Sequence, residues 1–145
     1  MEHRQPYRAK HLLCVEQQPE NKAALQEVFE GVLLLQIVDS GSEAMDVLQR
    51  CGHSHDLVVL NCDAPQALDT LELIKGHPEL RSVPVIAISS HWENGLLRRA
   101  YDLGANCCIR QPDGVEERAQ VMRAINQFWR QLAVVPRPTA SAVAR

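Results

Sequence analysis

The chain alternates five short apolar runs with five segments patterned as amphipathic helices, and this alternation restricts its fold more than any other feature. Strand–helix alternation predicts a parallel sheet with helices on both faces. The run 57–60 is continuously apolar, as a strand buried on both faces should be. We therefore predict an α/β fold with a doubly wound, five-stranded parallel sheet. The predicted strands cover residues 11–15, 32–38, 57–60, 84–88 and 105–109.

Several residues predict where the helices begin and end. Pro19 suits the first turn of a helix. Ser40 and Glu43 have the spacing of a capping box before the second helix. Gly76 and Gly104 stand where the third and fourth helical patterns stop.

Length and composition indicate one globular domain. The chain has 145 residues, of which 46% are hydrophobic and 23% charged. We predict a polar N-terminal extension over 1–10 and a domain over 11–132, whose last helix covers 115–132. Residues 133–145 contain two prolines and small side chains, which predicts an extended C-terminal tail.

Charge and cysteine content exclude some partners and suggest a compartment. The formal net charge of −3 gives no reason to expect a nucleic-acid partner. No apolar run approaches the roughly 18 residues that span a bilayer, so we expect no membrane partner. Five cysteines is an odd number, and four of them fall in apolar segments. This pattern predicts reduced thiols in a cytoplasmic protein.

The predicted fold also locates a candidate site. In doubly wound sheets, ligands bind beyond the carboxyl ends of the strands, at the switch point in strand order. Four polar clusters follow the predicted strands there. They are Glu16-Gln17-Gln18, Asn61-Cys62-Asp63, Ser89-Ser90 and Arg110-Gln111-Pro112.

These clusters resemble the receiver domain of bacterial response regulators over residues 11–132. Residues 13–17 match the family's first-strand motif, 84–89 its strand ending in a hydroxyl residue, and 104–112 the segment that usually ends in lysine-proline. The resemblance implies a receiver or flavodoxin-like topology with strand order 2-1-3-4-5. It also implies a place in a two-component phosphorelay.

The family's site implies a role for each matching position. Glu16 and Gln17 stand where an acidic pair binds Mg²⁺, and Asn61 stands where an aspartate accepts phosphate. Asp63 stands where a backbone carbonyl reaches the metal, and Ser89 provides the hydroxyl that follows the phosphoryl group. Gln111 replaces the family's lysine.

Three positions that are charged in the family thus carry neutral side chains in this chain. We expect this loss of charge to abolish phosphoryl transfer. Mg²⁺ prefers carboxylate oxygens, whereas Gln17 and Asn61 offer neutral ones. Phosphoryl transfer depends on positioning and on stabilising charge. We predict a pseudo-receiver that is not an enzyme, carries no cofactor, binds Mg²⁺ weakly or not at all, and acts through protein–protein interaction.

The end of the domain resembles the small single-domain regulators that partner phytochrome histidine kinases. The matching features are Phe128-Trp129 followed by Val135-Pro136. This resemblance implies a sensor histidine kinase as partner, such as a bacteriophytochrome. It also implies a homodimer formed through the last helix and an exchanged tail.

The last helix carries two apolar stripes at about 100° per residue. One stripe can face the sheet, and a symmetric partner would cover the other. Ala133–Pro136 continues as an apolar extension for which we expect no cover from its own chain. The predicted interface comprises Val121, Met122, Ile125, Phe128, Trp129, Leu132, Val135 and Pro136.

Three further patterns favour ordinary interpretations. Glu16 and Asp63 are weak candidates for a cation site, but solvated or hydrogen-bonded acids are favoured. The group Cys51, His53 and His55 matches no standard zinc spacing. Trp92 is equally consistent with a partner contact and a helix-end anchor.

The sequence lacks features that two other function classes need. A flavodoxin-like binder of a phosphorylated cofactor needs a loop of glycine or hydroxyl residues after the first strand, and residues 16–20 have neither. A small hydrolase would need a nucleophile elbow of the Gly-x-Ser-x-Gly type, which the sequence lacks.

Overall fold

The computed structural model describes residues 10–30, 34–50 and 55–136. The predicted N-terminal extension, apart from Lys10, lies outside the described residues. So do Cys51 and His53 of the weak metal pattern and the tail beyond Pro136.

Within these described ranges, five strands and five α-helices alternate, as predicted, and a π-helical segment follows the last helix. The strands are β1 (His11–Val15), β2 (Leu34–Val38), β3 (Leu57–Asn61), β4 (Val85–Ser89) and β5 (Cys107–Arg110). The α-helices are α1 (Pro19–Phe29), α2 (Gly41–Arg50), α3 (Ala67–Gly76), α4 (Asn94–Asp102) and α5 (Val115–Ile125). The π-helical segment covers Asn126–Leu132.

The strands form one parallel sheet in the order β2-β1-β3-β4-β5, which confirms the predicted topology. Successive side chains of a strand face opposite sides of a sheet, so β1 contributes side chains to the hydrophobic cores on both sides. Leu13 and Val15 join the core that α2, α3 and α4 cover. Leu12 and Cys14 join the core that α1 and α5 cover.

Two local signals predicted from the sequence mark the start of α2 and the end of α4. The backbone N–H of Glu43 donates to Ser40 Oγ at 3.1 Å, which caps α2. Gly104 follows α4 with a φ of 110°, a conformation that favours glycine.

The last predicted helix differs from expectation beyond Ile125. Residues 126–132 form π-helical turns, in which each hydrogen bond spans one more residue than in an α-helix. The backbone N–H of Ala133 donates to the carbonyl of Phe128 at 2.7 Å and ends this segment. Side chains beyond Ile125 therefore do not follow the α-helical spacing on which the predicted stripes were based.

Candidate functional site

Parallel pairing brings the predicted polar clusters together at the carboxyl edge of the sheet. β1 lies beside β3 with Val15 opposite Leu60, and β3 lies beside β4 with Asn61 opposite Ile88. The loops that follow these strands therefore meet at one edge. The predicted site residues at this edge are Glu16, Gln17, Asn61, Asp63, Ser89 and Gln111.

Glu16 is buried and accepts four hydrogen bonds. The side-chain Nδ2 of Asn61, which is also buried, donates to Glu16 Oε1 at 2.9 Å and to Oε2 at 2.8 Å. The backbone N–H groups of Gln17 and Gln18 donate to Oε2 at 3.0 and 3.1 Å. The negative charge of Glu16 is thus solvated by neutral donors of the chain itself.

Asp63 connects the loop after β3 to the loop after β4. Its Oδ1 accepts from Ser89 Oγ at 2.8 Å and from the Ser90 backbone N–H at 2.9 Å, and its Oδ2 accepts from Ser90 Oγ at 2.7 Å. Its own N–H donates to Asn61 Oδ1 at 2.9 Å. Partial burial raises the pKa of the Asp63 carboxyl, but these bonds and nearby His91 bring it below its usual value.

Gln17 does not join this network through its side chain. Its Nε2 donates to the backbone carbonyl of Asp39, at the end of β2, at 2.9 Å. The Asp39 carboxylate in turn pairs with the Lys22 ammonium of α1. The structure therefore groups Glu16 with Asn61 and directs the Gln17 amide elsewhere.

Gln111 and Arg118 form the other side of the site. Gln111 is buried, and its backbone N–H donates to the Ser89 carbonyl at 2.9 Å. Arg118 of α5 donates through Nε to the Pro112 carbonyl at 2.8 Å and through Nη1 to Asn21 Oδ1 at 3.0 Å.

Arg118 and Asn21 were not predicted from the sequence as site residues. A detectable signal was present, because Arg118 lies in the first turn and a half of α5, after Glu116 and Glu117. The helix dipole disfavours a cation near the N-terminus of a helix. An arginine at this position therefore suggests a specific contact.

A surface cavity of about 440 Å³ opens between these groups. Beneath it, a smaller cavity of about 30 Å³ reaches from Glu16 and Asn61 toward Met122 of α5. The larger cavity is lined by Gln17, Gln18, Glu20, Asn21, Asn61, Asp63, Ala64, Pro65, Ser90, Gln111 and Arg118.

The carboxylates of the two weak metal-site candidates accept hydrogen bonds from donors of the protein. Glu16 and Asp63 accept hydrogen bonds on all four carboxylate oxygens. Within residues 10–30, 34–50 and 55–136, no group of three or more histidine, cysteine, aspartate or glutamate side chains is placed to hold a metal ion.

Of Cys51, His53 and His55, whose spacing matches no standard zinc site, only His55 is described, and it is buried beside β2. One of its ring nitrogens, Nε2, lies 3.0 Å from Gln36 Oε1. Burial lowers the pKa of His55, nearby His11 lowers it further, and Asp56 acts in the opposite direction.

Trp92, which the sequence left ambiguous, and the neighbouring cysteines of β5 both pack against the core. Trp92 precedes α4, packs on the core and donates through Nε1 to the Ile109 carbonyl at 2.9 Å, which favours the helix-end anchor. Cys107 and Cys108 face opposite cores, as neighbours on a strand should.

Several known proteins with a similar sequence or fold are response regulators. The response regulator Rcp1 of Synechocystis is 26% identical over 138 residues, which cover 88% of this chain and 93% of that protein. The phosphorylated cyanobacterial phytochrome response regulator RcpA superposes with a TM-score of 0.82 at 26% identity, covering 88% of this chain and 99% of RcpA. This chain is a response-regulator receiver domain. The bacteriophytochrome response regulator AtBRR shares the receiver fold with a TM-score of 0.63 at 24% identity, covering 86% of this chain and 97% of AtBRR.

No protein-family model matches this receiver domain. Across its described residues, none of the helices combines the length and apolar character needed to cross a membrane.

The predicted dimer residues of the receiver domain divide between core and surface. Met122 and Ile125 are buried against the sheet, and Val121 and Trp129 are half-buried. Phe128 and Leu132 remain 51% and 65% exposed. An apolar groove of about 310 Å³ runs beside them. Its lining is Cys107, Ile109, Val121, Ala124, Ile125, Phe128 and Trp129.

One expectation about the tail is wrong. Val135 is only 4% exposed and packs in the same core cluster as Leu12 and Phe29 of its own chain. Val135 is therefore covered by its own chain, contrary to the expectation for residues 133–136. Val134, by contrast, is 64% exposed.

Proposed function

We propose that this receiver domain is a pseudo-receiver in a two-component signalling pathway, acting through protein–protein interaction without aspartyl phosphorylation. The observation that carries the proposal is the buried hydrogen-bonded pair of Asn61 and Glu16. At the position where the family resemblance implies a nucleophilic carboxylate, the chain presents an amide nitrogen that is already donating. A carboxamide is a far poorer nucleophile than a carboxylate, and here its nitrogen is bound to the remaining acid.

The rest of the network supports the same proposal. The loops after β1, β3 and β4 are joined by hydrogen bonds of Glu16, Asn61 and Asp63. Gln111 adds no charge where the family's lysine would stand. Phosphoryl transfer needs charge stabilisation at the reacting oxygens, and these neutral groups supply little.

We further propose that its partner is a sensor histidine kinase of the phytochrome kind, in the cytoplasm. The support is the similarity to RcpA and AtBRR, which are named as phytochrome and bacteriophytochrome response regulators. We also propose a homodimer through the exposed part of the last helix, centred on Phe128 and Leu132.

The structure offers no support for the flavodoxin-like alternative. A phosphate site in the loop after β1 would use its free backbone N–H groups. Those of Gln17 and Gln18 already donate to Glu16.

Intact mass after incubation with acetyl phosphate and Mg²⁺ tests the central proposal. We expect no phospho-adduct on this chain, while RcpA, whose phosphorylated form has been crystallised, serves as the positive control. Peptide mapping locates any adduct that forms. A stoichiometric adduct in this pocket would end the proposal.

A further inference from the structure

The cavity of about 440 Å³ at the carboxyl edge has no role in the proposed function, yet it is large enough for a small molecule. The residues around it carry charges of both signs. Their arrangement indicates the chemistry of a ligand.

Arg118 provides a positive charge that forms no ion pair with a described acid. Its two hydrogen bonds go to neutral acceptors, the Pro112 carbonyl and Asn21 Oδ1. None of the described carboxylates lies within ion-pair distance of it. A guanidinium has five N–H donors, so three remain for a ligand while the two bonds fix its orientation.

Gln111 lies beside Arg118 in the cavity wall with an unused amide. The residue is 7% exposed, and its side chain has no hydrogen-bond partner among the described residues. Its amide atoms are open to the cavity rather than sealed in the core, so they are available to hydrogen-bond with a molecule bound there.

Asp63 provides the negative charge of the cavity. It is held by neutral donors of Ser89 and Ser90, and Oδ2 accepts only one of these bonds. Asp63 and Arg118 line the same cavity but do not form an ion pair with each other. A ligand with one charge of each sign would complement both.

We propose that this cavity binds a small zwitterion of the α-amino-acid class. Its carboxylate would contact Arg118 and the Gln111 amide, and its ammonium group would contact Asp63. A simple anion would meet repulsion from Asp63 and Glu20, and a simple amine would meet repulsion from Arg118. The proposal goes beyond the proposed function and does not depend on it, since it requires only that the cavity be open.

Calorimetric titration of the full chain with each common L-amino acid tests the proposal, with propionate and ethylamine as single-charge analogues. We expect at least one amino acid to bind with one-to-one stoichiometry. The analogues should bind at least tenfold more weakly. This comparison uses the unaltered protein and does not depend on the folding of any variant.

Variants then locate the binding. Arg118→Gln and Asp63→Asn should each weaken binding at least tenfold, whereas Arg123→Gln and Asp102→Asn, at exposed positions outside the cavity, should leave it unchanged. Three results would overturn the proposal: no amino acid binds, propionate binds as tightly as the amino acid, or binding survives both cavity substitutions.

Discussion

The side-chain nitrogen of Asn61 lies 2.9 and 2.8 Å from the two carboxylate oxygens of Glu16, and both side chains are buried. A buried carboxylate needs donors or a cation to offset its desolvation. We infer that the Asn61 amide does for Glu16 what a bound cation would otherwise do. The site is then stable without metal, and restoring its charge has a cost in folding free energy.

Asn61→Asp should destabilise the protein by about 1–3 kcal/mol at neutral pH, because it replaces a donor with a second carboxylate facing Glu16. Urea denaturation measures the loss. The like-charge pair raises the pKa of one carboxyl in the folded state above its unfolded value. The deficit relative to the parent should therefore shrink as pH falls toward that raised pKa.

Asn94→Asp is a matched control, because Asn94 is exposed at the start of α4, where a helix dipole favours an acid. It should be neutral or slightly stabilising. Equal stability of Asn61→Asp and the parent at neutral pH would contradict the role inferred for Asn61.

Mg²⁺ should bind the parent weakly or not at all, and the combination Gln17→Asp, Asn61→Asp and Gln111→Lys should partly restore binding. Hard cations gain most from carboxylate ligands, and the combination adds two beside Glu16. Because Gln17 now reaches the Asp39 carbonyl, its replacement must also turn toward the site. Isothermal calorimetry distinguishes the proteins, and tight Mg²⁺ binding by the parent contradicts the prediction.

The sequence predicted the elements whose signal is local or periodic. The apolar alternation gave five strands and five helices, and Ser40 and Gly104 marked real helix ends. It also placed the clusters that contain Glu16 and Asn61 at one edge of the sheet, because the carboxyl ends of parallel strands lie at the same edge.

The features it missed depend on tertiary contacts. The π-helical turns after Ile125 and the burial of Val135 depend on packing against the core, which no periodicity encodes. The contact between Arg118 and Asn21 joins positions 97 residues apart. The direction of the Gln17 side chain, toward β2, likewise depends on which acceptor the fold brings near.

Gly41→Ala should cost about 1–3 kcal/mol of stability, because a Cβ at Gly41 would lie 1.8 Å from Thr70 Oγ1. Combining it with Thr70→Ala removes that oxygen and should recover part of the loss. Gly95→Ala in α4 meets nothing within 4 Å and should be neutral or stabilise by up to about 1 kcal/mol. Thermal unfolding compares all four proteins, and a fully stable Gly41→Ala refutes the close approach of α2 to α3.

The stability of the protein should fall as pH drops below about 6.5, the usual pKa of histidine, because burial lowers the folded-state pKa of His55. Above that pH the ring is neutral in both states. Below it the unfolded chain takes up a proton that the folded chain resists, so the free energy of unfolding decreases. His55→Gln should flatten this decline, and His91→Gln, at an exposed position, should not. Identical pH slopes for the parent and His55→Gln would count against the prediction.

The full chain should form a homodimer at micromolar concentration, and Phe128→Ser should make it monomeric. Phe128 is 51% exposed, contacts the Trp129 ring edge-to-face with ring centroids 5.4 Å apart, and borders the apolar groove. A symmetric copy could therefore cover both the exposed Phe128 side chain and the groove. Removing the tail is a poorer test, because Val135 belongs to the protein's own core and its loss would destabilise the monomer. Leu73→Ser, at an exposed apolar position on α3, is the control and should leave the dimer intact. Light scattering measures the mass, and a monomeric parent, or a Phe128→Ser protein that still dimerises, would show that this face is not the interface.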